Sequence, residues 1–165
     1  MDLSDTIIRR ADTSDLDALG RLGAALMRQH HQFDPQRFMA PGDRPEAGYA
    51  WFLGTQLERQ DVAIFVADWR DTVIGYIYTG IEPQSWKELR EECGYVHDLV
   101  VDAAGRRHGV GTALMDAALK WLREQGAPRV VLWTSPHNES AQRLFGRLGF
   151  RRTMIEMTRE LEGGQ

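Results

Sequence analysis

The run Arg106-Arg107-His108-Gly109-Val110-Gly111-Thr112 carries the most legible chemistry in this chain. It lies between an apolar stretch, Tyr95 to Val101, and a helical pattern of Val110, Leu114, Ala117, Ala118, Trp121 and Leu122. A helix N-terminus offers unpaired N–H groups and a partial positive charge. Glycines at Gly109 and Gly111 let an anion approach the backbone closely, and Arg106, Arg107 and His108 add positive potential. The turn therefore suits a diphosphate. A dinucleotide site would need a third glycine and an acid at the next strand end, and Leu132-Trp133-Thr134-Ser135 supplies none. A phosphate-binding loop of the G-K-[ST] type lacks its lysine, since Gly111 is followed directly by Thr112.

The elements that must position this turn can be read along the chain. Thr6 to Arg10 predicts a short strand, and Asp12-Thr13-Ser14-Asp15 offers cap oxygens to a helix reaching about Gln29. His30 to Arg44 reads as loop. Pro45 opens a second helix with Tyr49, Phe52, Leu53 and Leu57 on one face. Val62 to Ala67, Val73 to Ile81 and Tyr95 to Val101 predict three strands. Pro83 to Glu92 is polar, with one helical turn expected at Trp86-Lys87-Glu88-Leu89. After the helix from Val110, Gly126 and Pro128 act as stops and Arg129 to Thr134 is a strand. A helix from Asn138 or Glu139 ends at Gly149, and Phe150 to Leu161 fits one or two final strands. The expected fold is a single α/β domain over residues 1–165 with a mixed sheet. The tail Glu162-Gly163-Gly164-Gln165 is expected to fray.

Arg106, Gly109 and Gly111 spell R-x-x-G-x-G, and Asn138, Ala141, Leu144 and Gly149-Phe150 form a second motif. The ordered pair, from about Tyr95 to Phe150, resembles the GNAT superfamily of acetyl-CoA-dependent N-acetyltransferases. That resemblance implies a mostly antiparallel, twisted sheet flanked by helices, with a splayed fourth strand at His97-Asp98-Leu99-Val100-Val101-Asp102. It implies that the backbone of Leu99, Val100 and Val101 lines the pantetheine arm of acetyl-CoA, and that the amides from Arg107 through Thr112 hold its pyrophosphate. It also implies that Asn138 bonds the cofactor arm and that Phe145 packs near the sulfur. Family members often carry Tyr where Phe145 stands, and that phenol protonates the leaving thiolate. Phe145 has no such proton, so another group or water is the acid, or the thiolate leaves unassisted; a thiol of pKa about 8.5 is a tolerable leaving group near neutral pH. Acceptor-site elements are expected at about residues 12–60 and 82–93.

Acetyl transfer to an amine requires a proton to be removed. His97 has the intrinsic pKa of a base or water relay, and Asp98 suits a cationic amine. Alternation along a strand points neighbours to opposite faces, so the two share a pocket only if a bulge intervenes. His30-His31 lacks further ligands nearby in sequence, and no metal site is expected. Trp51, Trp86, Tyr49 and Tyr78 are expected in the core rather than as an amine-binding box. Cys93 has no evident activating neighbour and reads as inert.

The remaining numbers bound the function class. Lys plus Arg is 20 against 24 for Asp plus Glu, a net charge of -4, which argues against a nucleic-acid binder. There is no signal-peptide pattern at Met1 to Asp5 and no apolar run of membrane-spanning length. One cysteine excludes an internal disulfide and suggests a reducing cytoplasm. The expected function is acetyl transfer to a primary amine of a small molecule. A protein or peptide N-acetyltransferase and a non-catalytic acyl-CoA-binding module are the alternatives. The superfamily is often dimeric, so a homodimer is an expected assembly.

Overall fold

The computed structural model describes residues 5–161. Nine main elements follow in order: β1 (Thr6–Arg10), α1 (Leu16–Phe33), α2 (Pro45–Leu57), β2 (Val62–Trp69), β3 (Thr72–Glu82), β4 (Cys93–Val101), α3 (Val110–Glu124), β5 (Val130–Leu132) and α4 (Glu139–Arg147). The strands form one sheet in the order β1-β2-β3-β4-β5. The first four pair antiparallel and β4 pairs parallel with β5. A parallel neighbour needs a crossover, and α3 provides it.

Two apolar layers cover the sheet. Leu19, Leu22 and Leu53 from α1 and α2 pack on Val62, Ile64, Val66, Tyr76 and Val100 on one face. Leu114, Met115 and Ala118 of α3 and Phe145 of α4 pack on Ala67, Ile74, Ile77 and Val96 on the other. The alternation of β-strand side chains sorts β3 and β4 residues between these layers. α1 and α2 cross closely: a methyl on Gly23 would overlap the ring of Tyr49, and one on Gly20 the carbonyl of Glu46.

Local chemistry sets the element ends. Asp12 accepts from Ser14 N at 2.8 Å while Asp15 accepts from Asp12 N at 2.9 Å. This reciprocal cap closes a 3₁₀ turn, Thr13–Asp15, that leads into α1. Pro45 occupies the first turn of α2, as its missing N–H favours. Arg70 and Asp71 both have positive φ, 50° and 63°, which matches the twist of a tight β2–β3 hairpin.

Three expectations are corrected. α1 continues to Phe33 rather than Gln29, because His30 packs edge to face on both Phe33 and Phe38. Trp86 to Leu89 is a turn closed by a Ser85–Arg90 bridge, not a helical turn. Residues 151–161 form no strand: they run exposed and without ladder pairing. The expected fraying of Glu162 to Gln165, and the reading of Met1 to Ser4, fall outside the described residues. Among the described residues no helix is long and apolar enough to cross a membrane.

Candidate active site

The pairing of β4 changes register at one place. Val96 lies opposite Thr79 and Asp98 opposite Tyr78, so His97 is an extra residue: a β-bulge. Its consequence is visible in the packing. Val96, Leu99 and Val101 lie on the α3/α4 face, while Val100 lies on the α1/α2 face. Asp98 follows Val100 by alternation. His97, stacked between Tyr78 and Tyr95 at 4.6 and 4.7 Å, lies on that same face. The bulge that joint use of His97 and Asp98 requires is therefore present. Thr79 is fully buried and donates to Tyr95 O at 2.6 Å, satisfying a carbonyl beside the bulge.

Asp98 accepts two phenolic hydrogen bonds on Oδ2, from Tyr76 at 2.9 Å and Tyr49 at 3.0 Å. Oδ1 accepts from neither. Burial pushes the Asp98 carboxyl above its usual range, and the two phenols pull against that shift without cancelling it. The same desolvation raises Tyr49 and Tyr76, with Asp98 adding to it, so both stay O–H donors. Burial pushes Tyr78 up to about 12.

The His97 ring is lowered by burial, opposed by the nearby Glu82 carboxylate. Its Nε2 is 3.1 Å from Glu82 Oε1. A neutral ring in this contact donates Nε2–H to Glu82 and leaves Nδ1 as the basic nitrogen. Around it lies an open cleft of about 350 Å³, lined by Glu82, Glu88, Arg90, Tyr95, Val96, His97 and Trp133. Tyr95 and Trp133 meet edge to face at 6.4 Å. Arg90 is held by Glu88 at 2.8 Å. Arg90 offsets Glu88, so Glu82 and the two aromatic rings are what this cleft offers a cation.

On the other side of the bulge, β4 outlasts its partner. β4–β5 pairing stops at Val96 and Leu132, whereas β4 runs on to Val101. Asp102 N bonds Ile74 O on the β3 side, so alternation turns the backbone groups of Leu99 and Val101 away from β3. Arg106 Nε donates to Val101 O at 3.0 Å, bracing the turn against the strand end. Arg106, Arg107, His108 and Gly109 are exposed. Arg107 and Gly109 have positive φ, 63° and 80°. Gly109 is the N-cap of α3 and brings no side-chain oxygen, and the first intrahelical bond runs from Ala113 N to Gly109 O. The N–H groups of Val110, Gly111 and Thr112 are therefore left without helical acceptors. A methyl on Gly111 would stand 3.3 Å from Leu144 and 3.8 Å from Val101, so β4, α3 and α4 converge there. Uncapped amides, flanking arginines and an unpaired strand edge fit the pyrophosphate and amide arm of coenzyme A.

The second motif is partly structural. Asn138 caps α4, its Oδ1 accepting from Ala141 N and Ser140 Oγ at 3.2 Å each, so only its Nδ2 is left for a cofactor. Phe145 is buried on the α3 side of the sheet and meets Phe150 edge to face at 5.9 Å. His137, just before Asn138, stacks on Phe33 at 6.2 Å. That contact ties the end of α1 to the turn after β5.

His30 and His31 bond the carbonyls of Leu26 and Phe38 at 3.0 and 3.1 Å, which ties their rings to the α1 end and the following loop. Cys93 does have a basic neighbour: Arg90 Nη1 lies 3.1 Å from its sulfur. Burial still outweighs it and raises the thiol. Tyr78 is buried, but Trp51 and Trp86 are 73% and 82% exposed, outside the core expected for them. Glu82, Tyr95, Trp133 and the Tyr49–Tyr76 pair were not singled out by sequence reasoning. The alternation of Tyr76 with Tyr78, opposite Asp98, is the signal from which the pair was recoverable.

Comparison with known proteins agrees with this geometry. Residues 24–150 match the model of the acetyltransferase (GNAT) family. The chain is 32% identical over 117 residues to an N-alpha-acetyltransferase of Sulfurisphaera tokodaii, covering 67% of this chain and 70% of that protein. It is 31% identical over 121 residues to a mycothiol acetyltransferase of Thermobispora bispora, covering 70% of this chain and 40% of that protein. It thus spans less than half the length of several curated relatives that it matches. Among solved structures, the aminoglycoside N-acetyltransferase AAC(6')-Iy in complex with CoA superposes with a TM-score of 0.73 at 20% identity, over 95% of each chain. The uncapped α3 turn, the open β4 edge and the family match over most of the chain place it in the acetyltransferase (GNAT) family, whose co-substrate is acetyl-CoA.

Proposed function

We propose that this chain is an N-acetyltransferase acting on a primary amine of a small cationic molecule, by direct attack of the amine on the thioester of acetyl-CoA. The observation that carries the reading is the β4 bulge, which sets His97 and Asp98 on one face of the sheet, with His97 on the wall of a cleft that Glu82, Tyr95 and Trp133 also line. Acetyl-CoA supplies the activated acyl group. The amides of Arg107 through Thr112 with Arg106 hold its diphosphate, the backbone of Leu99 to Val101 pairs with its arm, Asn138 Nδ2 bonds that arm, and Phe145 backs the apolar wall. His97 takes the amine proton on Nδ1 while Glu82 orients the ring through Nε2. Asp98 Oδ1 and Glu82 hold the ammonium before it is deprotonated. The aminoglycoside and mycothiol acetyltransferases named among the similar proteins support a small-molecule acceptor.

A second reading is a peptide acceptor, favoured by the similarity to an N-alpha-acetyltransferase and by the openness of the cleft along β5. One screen separates the two. Acetyl-CoA is titrated calorimetrically, then acetyl transfer is measured over polyamines, amino acids, aminoglycosides and peptides. Binding of acetyl-CoA and turnover of a small amine, lowered roughly 10²- to 10⁴-fold in His97→Ala, is the expected result. Absence of acetyl-CoA binding at several hundred micromolar would overturn the reading, and turnover restricted to peptides would replace it with the second. Binding without turnover of any amine would leave an acyl-CoA-binding module.

A further inference from the structure

His97 is the extra residue of the β4 bulge, so no partner on β3 fixes it through the ladder. Its ring is fixed by side chains instead. Tyr78, Gly80 and Glu82 share one face of β3 by alternation. Tyr78 covers one face of the imidazole, with centroids 4.6 Å apart and planes at 29°. Tyr95, which pairs with Gly80, covers the other at 4.7 Å and 22°. Gly80 leaves room beneath the ring edge: a methyl there would stand 3.9 Å from His97 Nε2. Glu82 Oε1 meets that nitrogen at 3.1 Å. Neither flanking ring is loose. Phe52 of α2 meets Tyr78 edge to face at 6.0 Å, and the Tyr78 hydroxyl donates to Gln56 at 3.1 Å. Trp133 backs Tyr95 edge to face at 6.4 Å. Nδ1 of His97 has no partner among the described residues, and the side chain keeps 26% of its surface exposed.

Each contact removes a freedom that a lone histidine has. A half-turn about the Cβ–Cγ bond puts carbon where each ring nitrogen stood, and Glu82 would then face Cε1. Flat rings on both faces block the orientations in between. A carboxylate on Nε2 accepts only from the Nε2–H tautomer of a neutral ring. We infer that Tyr78 and Tyr95 are positioning residues, which hold the His97 ring in one orientation and one tautomer and so leave Nδ1 as the nitrogen that takes the amine proton. The orientation follows from the packing alone; its use in proton transfer rests on the acetyl-transfer reading. Each aromatic stack favours the held ring roughly two- to tenfold. The imidazolium that forms on proton capture also lies between two phenol faces, whose negative potential favours it. The charges that act on the ring are Glu82 and Asp98, opposed by Arg59, and a change at Tyr95 removes none of them.

Nitrogen NMR of protein labelled at histidine reads the tautomer without substrate, so its outcome is distinct from failure of the acetyl-transfer reading. The His97 signals are assigned by their absence in His97→Gln. In the wild-type chain the neutral ring is expected as a single Nε2–H tautomer, its carbon-bound protons shifted upfield by the two flanking rings. Tyr95→Leu fills space without a π face. It is expected to mix the tautomers and to lower kcat roughly five- to tenfold, with KM for acetyl-CoA unchanged. Tyr95→Phe returns the ring, and is expected to recover the single tautomer and most of the lost kcat. Wild-type tautomer and ring shifts in Tyr95→Leu, mixed tautomers with kcat intact, or a Tyr95→Phe chain as impaired as Tyr95→Leu each overturn the positioning role. Should Tyr95→Leu fail to fold, the wild-type spectrum decides: one tautomer with upfield ring protons supports the role, and mixed tautomers or unshifted protons refute it.

Discussion

Removing one phenol from Asp98 separates a binding carboxylate from a structural one. In Tyr49→Phe the hydroxyl 3.0 Å from Asp98 Oδ2 is lost, while Tyr76 keeps its 2.9 Å bond. A hydrogen bond to a charged group contributes roughly 1.5–3 kcal/mol. Its loss moves the Asp98 carboxyl further up, because burial already raises it and one opposing donor is gone. The proposed role needs the carboxylate, so kcat/KM falls only where the variant is protonated and the wild type less so. At about 1.4 kcal/mol per tenfold change, the drop on the acid limb is roughly 10- to 100-fold, fading to near unity at alkaline pH. The assay is a pH profile of kcat/KM for both proteins, with acetyl-CoA affinity as a control. A uniform drop at all pH values, or no drop on the acid limb, would refute the assignment. The linked stability effect has a defined sign. A carboxyl raised in the folded state adds stability that is complete below its unfolded pKa and is lost as pH rises through the folded value. Asp98→Asn, which has no charge to bury, is therefore expected to melt higher than wild type at pH 8 and to lose that advantage in acid, while its kcat/KM falls.

Four further outcomes follow from the geometry. Gly109→Ala places a side chain at φ 80° with no steric neighbour, so it costs about 1–2 kcal/mol from the left-handed backbone alone, read by urea unfolding. Gly111→Val crowds Leu144 and Val101, and is expected to weaken acetyl-CoA at least tenfold in calorimetry. Gly23→Ala drives Tyr49 off its place against α1 and costs about 1–3 kcal/mol; the variant is expected to reproduce the acid-limb loss of Tyr49→Phe in its pH profile. Arg9 bonds the buried Asp15 at 2.8 and 2.9 Å and holds its carboxyl below the usual range. Arg9→Ala is expected to cost about 2–3 kcal/mol at pH 7, after discounting the buried-pair magnitude for the exposed side of Arg9. That stability is present above the unfolded Asp pKa and disappears as pH falls through the folded one, so the two melting curves converge in acid.

The order of the first nine elements was legible because each has its own period and stop signal: Pro45 before α2, Gly126 after α3, the β-rich run Val62 to Ala67. The phosphate turn was legible because Gly109 and Gly111 follow an apolar strand directly. The cleft was not. Glu82, Tyr95 and Trp133 stand on β3, β4 and the end of β5, and only sheet pairing brings them together; no local spacing encodes it. The exposure of Trp51 was hidden for a related reason. α2 lies over one face of the sheet, and an apolar residue on its far side looks like core until the packing partner is known. The last strand failed in the reverse direction. Its alternation is real, but a strand needs a neighbouring edge, and the tail is held beside α4 and the loop after α1 instead.

The bulge links the two halves of the site. Strict alternation from Tyr95 would put His97 on the α1/α2 face and Asp98 among Leu114 and Phe145, a carboxylate in an apolar layer with no donors. One extra residue turns Asp98 back beneath Tyr49 and Tyr76, and keeps Leu99 and Val101 on the layer that α3 and α4 share. The same residue reaches the cofactor side, because the stretch of β4 beyond it runs past the end of β5 with the backbone of Leu99 and Val101 facing outward. Thr79 then holds the irregularity through a 2.6 Å bond to Tyr95 O. Thr79→Val keeps the shape and removes that donor, one hydrogen bond worth about 0.5–1.5 kcal/mol. If the bulge sets both halves of the site, this substitution, on a residue assigned no contact with either substrate, lowers acetyl-CoA affinity and amine turnover together. A loss of melting temperature with both kinetic parameters intact would show that β4 keeps its register without Thr79, and that the bulge is fixed by His97 packed between Tyr78 and Tyr95.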